Sequence, residues 1–87
     1  MKITGIKEAL ADLAKAETGG LLVNRWTGEV WLDKTVDPEE YQRFEDPAIT
    51  CLTQFAGRRG YRDQEITEDN ILLWAEDACD LFMLGEE

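Results

Sequence analysis

From Asp63 onward the chain holds nine carboxylates (Asp63, Glu65, Glu68, Asp69, Glu76, Asp77, Asp80, Glu86, Glu87) and no Lys or Arg, while Ile71, Trp74, Ala75, Ala78, Leu81 and Phe82 recur three or four residues apart. A segment with that pattern can bury one helical face and must leave the other in water. The spacing predicts a helix over 68–84. Thr67 is the expected N-cap, with Ile66 and Ile71 at the two positions of a hydrophobic staple, and Glu68 and Asp69 complement the helix N-terminus. Asp69, Glu76, Asp77 and Asp80 fall opposite the apolar stripe, three or four residues apart, and no Lys or Arg within the segment relieves the row. Leu72, Leu73, Met83 and Leu84 widen the apolar surface beyond that stripe. Either the helix is central and Leu72 and Met83 complete the core, or part of it meets a second chain.

The rest of the chain must supply the surface that covers this helix. Ile6, Ala9, Leu10 and Leu13 form one stripe and predict a first helix over 5–16, with Thr4 as N-cap and Gly19-Gly20 as the stop. Two short apolar runs follow, 21–24 and 29–32, around a loop of four residues, Arg25 to Gly28, with Gly28 at positive φ. That hairpin pairs Val23 with Val30 and Leu21 with Leu32 on an aliphatic face, and puts Leu22 and Trp31 on the other. A lone two-stranded hairpin is marginal in water, so it needs helical cover, a further strand or a partner chain.

Two Asp-Pro steps, Asp37-Pro38 and Asp46-Pro47, carry the N-cap and N1 signals of helix starts. They predict a short helix over 38–44 and another over 47–56, the second burying Ile49, Leu52, Phe55 and Ala56 and ending at Gly57. The alternation of Ile49, Cys51 and Thr53 with Thr50 and Leu52 supports a competing strand over 48–53. Residues 57–65 read as a loop. The fold class is therefore α+β: one small domain with an N-terminal helix, a β-hairpin, two short helices and a longer acidic amphipathic C-terminal helix.

Size and composition narrow the function classes. Eighty-seven residues hold one small core but hardly a core plus a deep substrate cavity. The chain has no His and no Ser, which removes the commonest general base and metal ligand and every Ser-His or Cys-His nucleophile. Cys51 and Cys79 lack metal-site spacing and lie in apolar helical contexts, as buried free thiols do. The acidic loop 63–69 lacks the glycine and terminal Glu of a calcium-binding loop. An enzyme is disfavoured, and no cofactor or metal is expected. Charges interrupt the N-terminus, and the longest apolar run, Ile71 to Ala75, is far too short to span a bilayer. These features fit a cytosolic protein with no membrane contact.

The charge distribution points to a class of partner. The last 25 residues carry net −9 and the first 62 net −1, out of −10. Such a chain repels nucleic acid and acidic lipid and attracts basic surfaces. Arg58, Arg59 and Arg62 form a small basic cluster without the spacing of a phosphate-binding loop, and the neighbouring carboxylates are its expected partners. Trp74 belongs to the core pattern, Trp26 sits at the hairpin bend, and Trp31 either covers a second layer or serves as an apolar anchor.

In size and charge layout the chain resembles the small acidic inhibitors encoded by phages and mobile elements, including anti-CRISPR proteins that mimic DNA. The resemblance implies a basic nucleic-acid-binding partner, such as a CRISPR effector or another nuclease, held without direct contact to nucleic acid. On that reading Asp69, Glu76, Asp77 and Asp80 contribute most, Asp63, Glu65 and Glu68 support them, and Trp31 is a candidate anchor. A regulator that antagonises a DNA-binding repressor shares the same physics. The alternative is a homo-oligomeric accessory or structural protein, a homodimer through the last helix, whose acidic face serves only solubility.

Overall fold

The computed structural model describes residues 2–61 and 63–85. The elements in chain order are α1 (Ile6–Lys15), β1 (Gly20–Asn24), β2 (Val30–Asp33), β3 (Ile49–Cys51), α2 (Leu52–Arg58) and α3 (Glu68–Leu84). The three strands form one antiparallel sheet in the order β2-β1-β3. The chain is a small α+β domain, as the pattern predicts.

The hairpin has the expected register, with Leu21 opposite Leu32 and Val23 opposite Val30. Its turn is closed by Asn24, whose backbone carbonyl accepts from Gly28 N at 2.7 Å while its side-chain Oδ1 accepts from Trp26 N at 2.9 Å. Gly28 has φ +80°, and a Cβ there would lie 2.4 Å from the Lys2 carbonyl oxygen, so the turn requires glycine. Thr4 does not cap α1. Gly5 is the N-cap, and Thr4 forms a parallel bridge with Glu29, donating its N–H to the Gly28 carbonyl and accepting from Val30 N. The backbone groups of Thr4 thus extend the hairpin's edge.

The region between the two Asp-Pro steps departs from expectation. No helix forms over 38–44. Asp37 closes one turn, accepting from Glu39 N at 2.9 Å, and the chain then runs without regular structure to Pro47. The physical reason lies across the sheet: Leu22 and Cys51 face away from the helices, and they are covered by Val36 with help from Phe44, Trp31 and Ile49. An irregular strap that delivers both Val36 and Phe44 to that face satisfies the apolar demand better than a surface helix.

The predicted helix over 47–56 is also corrected. Asp46 accepts from Ala48 N through its carboxylate and from Ile49 N through its carbonyl, which turns the chain into a strand. β3 pairs Thr50 with Val23, and α2 starts only at Leu52. The competing period-two pattern is correct for the first half, the helical pattern for the second. Gly57 lies inside α2, which ends at Arg58.

The other sheet face carries the main core. Ile6 and Ala9 of α1, Leu52, Phe55 and Ala56 of α2, and Ile71, Trp74, Ala75, Ala78 and Cys79 of α3 pack on Leu21, Val23 and Val30. All three helices therefore lie on one side of the sheet. Both cysteines are buried free thiols, and burial, reinforced by the neighbouring Asp80, pushes the Cys79 thiol above its ordinary range. Among the described residues no helix is long and apolar enough to cross a membrane.

Candidate docking face of the C-terminal helix

α3 begins where the sequence places it. Thr67 caps it, its hydroxyl accepting from Asn70 N at 3.2 Å, and the Asn70 side chain donates back to the Glu65 carbonyl at 2.8 Å. At the other end Gly85 adopts the left-handed conformation at φ 73° and its N–H bonds to the Phe82 carbonyl. Trp74 fixes the rotation of the helix, buried and donating its indole N–H to the Gln64 side chain at 3.2 Å. With the rotation fixed, every residue of the outer face is determined.

That face is mixed, not purely acidic. Asp69, Glu76 and Asp80 are exposed on it, and so are Leu72, Leu73, Met83 and Leu84. Leu84 is 71 % exposed and Leu73 60 %, so neither completes the core. Leu72 at 37 % and Met83 at 58 % do not complete it either. Along the i+4 ridge the sequence Leu72, Glu76, Asp80, Leu84 runs apolar, acidic, acidic, apolar.

Asp77 behaves differently from its neighbours. It is half-buried, its Oδ2 lying 3.4 Å from Arg59 Nε and accepting a long bond from the Tyr61 hydroxyl at 3.5 Å. Among the described residues the acidic row is thus relieved at Asp77 by a cation from the end of α2, the surface pairing expected of the arginine cluster. Arg62 lies outside the described residues. Tyr61, Gln64, Leu73, Trp74, Glu76, Asp77 and Asp80 line a shallow open recess of about 280 Å³ beside the row.

The remaining sequence-predicted residues are scattered around this face. Asp63 and Glu65 are exposed in the loop before α3, and Glu68 is exposed in its first turn, rotated about 100° from Asp69. Trp31 is on the opposite side of the sheet, half-buried beside Leu22, where it covers the second layer. The exposed tryptophan is Trp26, at 60 %, which stands edge-on to Phe82 at 5.3 Å between ring centroids. It therefore lies at the C-terminal end of α3, where sequence reasoning had no signal to place it. Among the described residues no group of His, Cys, Asp or Glu side chains is arranged to hold a metal ion.

Comparison of the chain with protein-family models, with curated proteins and with solved structures finds no match.

Proposed function

We propose that the protein is a non-enzymatic, stoichiometric binder whose acidic C-terminal helix occupies a basic, nucleic-acid-binding surface of a target protein in the cytoplasm. An anti-CRISPR-type inhibitor of a CRISPR effector or another nuclease is the kind of protein meant. The supporting observation is the outer face of α3, where Glu76 and Asp80 stand exposed one turn apart in a chain quarter without Lys or Arg. Carboxylates at that spacing present charge to a cationic partner without desolvating it in advance. Asp77, held by Arg59, contributes less than its neighbours, and Trp31, half-buried on the opposite side of the sheet, stays outside the contact.

The test is capture of a bacterial nucleic-acid-binding protein by the tagged chain from nuclease-treated lysate, run beside the Glu76→Lys/Asp80→Lys double variant. Capture that is released by salt or added DNA and lost in the double variant supports the reading. Capture that survives both high salt and charge reversal refutes it. A second reading rests on Leu73, Met83 and Leu84: these exposed side chains can serve as the interface of a homo-oligomer, with the charge serving solubility. Light scattering separates the two, since a dimer that persists on dilution and in high salt belongs only to the second.

A further inference from the structure

The ridge Leu72, Glu76, Asp80, Leu84 reads the same in both directions by chemical type, and all four side chains are exposed. At the helical rise per residue its two leucines stand about 18 Å apart with the carboxylates between them. A second copy laid antiparallel on this ridge sets Leu72 against Leu84 and Glu76 against Asp80. A parallel copy sets Glu76 against Glu76. Both arrangements bring like-charged side chains together in a partly dry contact, which is strongly unfavourable. Shape and apolar ends suit a helix; the charge rejects this chain's own helix. A phosphate-like surface, for its part, has no use for apolar ends flanking the acids.

Building on the basic-partner reading, we propose that the ridge docks an amphipathic basic helix of the target, one that carries two Lys or Arg four residues apart with an apolar side chain four residues beyond each. Crossing α3 along this i+4 ridge, which is inclined about 26° to the helix axis, such a helix pairs its cations with Glu76 and Asp80 and seats its apolar residues on Leu72 and Leu84. Leu73 and Met83 flank the ridge and widen the apolar seats. Specificity follows from both chemistries: a cationic coil meets the acids alone, and an uncharged apolar helix leaves the acids unpaired.

Two synthetic peptides of about sixteen residues test this, both helical and of equal charge. One carries Leu-x-x-x-Lys-x-x-x-Lys-x-x-x-Leu; its twin has Gln in place of the two Leu. Titrated into the full chain at physiological salt, the first binds at least about tenfold tighter, the expected gain from covering the two leucine seats. Leu72→Ser/Leu84→Ser abolishes that difference and leaves the weaker, salt-sensitive binding intact, while Glu76→Lys/Asp80→Lys abolishes both. Circular dichroism confirms that each exposed-site variant is folded. Equal affinity for the two peptides overturns the helix-docking inference and leaves the basic-partner reading standing. Absence of charge-dependent binding to either peptide overturns both. A dimer of the free chain at neutral pH and low salt overturns the assignment of the ridge to a foreign helix.

Discussion

Replacing Arg25 by Lys keeps the charge and removes the geometry on which three parts of the chain depend. Arg25 follows β1 and is almost fully buried, at 7 % exposure. Its backbone N–H bonds the Ala48 carbonyl at 2.8 Å, its Nε donates to the same carbonyl at 3.3 Å, and its Nη2 donates to the Pro47 carbonyl. The guanidinium lies 4.5 Å from the Phe82 ring centroid, against the ring that Trp26 also meets. The hairpin turn, the entry to β3 and the last turns of α3 are thereby joined through one planar group. An ammonium cannot reach both carbonyls and stack on the ring at once.

A hydrogen bond from a charged donor contributes about 1.5–3 kcal/mol and a cation–π contact about 0.5–2 kcal/mol. Losing one bond and most of the stacking should cost about 2–3 kcal/mol. For a domain of this size that lowers the Tm by roughly 8–24 °C. Urea unfolding of Arg25→Lys, Phe82→Leu and the double variant isolates the ring contact, with an expected coupling of about 1 kcal/mol. The reasoning is refuted if Arg25→Lys falls within about 0.5 kcal/mol of wild type, or if the coupling is below about 0.3 kcal/mol, the ordinary scatter of additivity.

Two further outcomes follow from the same contacts. Gly28→Ala drives a Cβ to 2.4 Å from the Lys2 carbonyl oxygen and disturbs the Thr4 N–Gly28 O bond, so it should cost clearly more in thermal unfolding than Gly85→Ala, where φ is similar but none of the described residues lies within 4 Å; equal costs would sink the argument. The raised Cys79 thiol works on the alkaline side: the unfolded chain loses its proton first, so stability holds below the ordinary thiol range near about pH 8.5 and falls as the pH rises through it. Cys79→Ala should flatten the decline in urea midpoint between neutral and alkaline buffer, and an unchanged slope would show that other groups cause it.

What could be read in advance followed from local physics. α3 announced itself because its period, its Thr67 cap and its acidic first turn all agree, and the hairpin because Leu21, Val23, Val30 and Leu32 alternate around a glycine turn. The 38–44 segment misled because Asp37-Pro38 is as good a turn as a helix start, and the choice was made by distant groups: Leu22 and Cys51 needed Val36 and Phe44 over them. The same holds at Ile49 and Thr50, whose pairing with β1 outweighed the helix signal of Asp46-Pro47. On the site, the residue types along α3 were legible. Which of Leu72, Leu73, Met83 and Leu84 would stay exposed was not, because it depends on a rotation fixed by Trp74 and Gln64. Arg59 reaching Asp77 is likewise a product of the turn after α2.

The exposed carboxylates themselves carry a cost that bears on their role. Glu76 and Asp80 are like charges one turn apart, and such a pair destabilises a helix by a few tenths of a kcal/mol. Asp77 adds to the local field and is offset by Arg59, yet Glu76 and Asp80 face outward. For solubility alone the net charge of −10 is more than a domain this small requires, and the same net charge placed on the neutral remainder of the surface would avoid the repulsion. Leucines at both ends of the pair add a second cost, exposed apolar area, at the same place. A basic helix laid on the ridge removes both costs together: its cations turn the repulsion into attraction, and its apolar residues take the leucines out of water. Two liabilities with one common remedy are better explained by a partner than by the needs of the free chain.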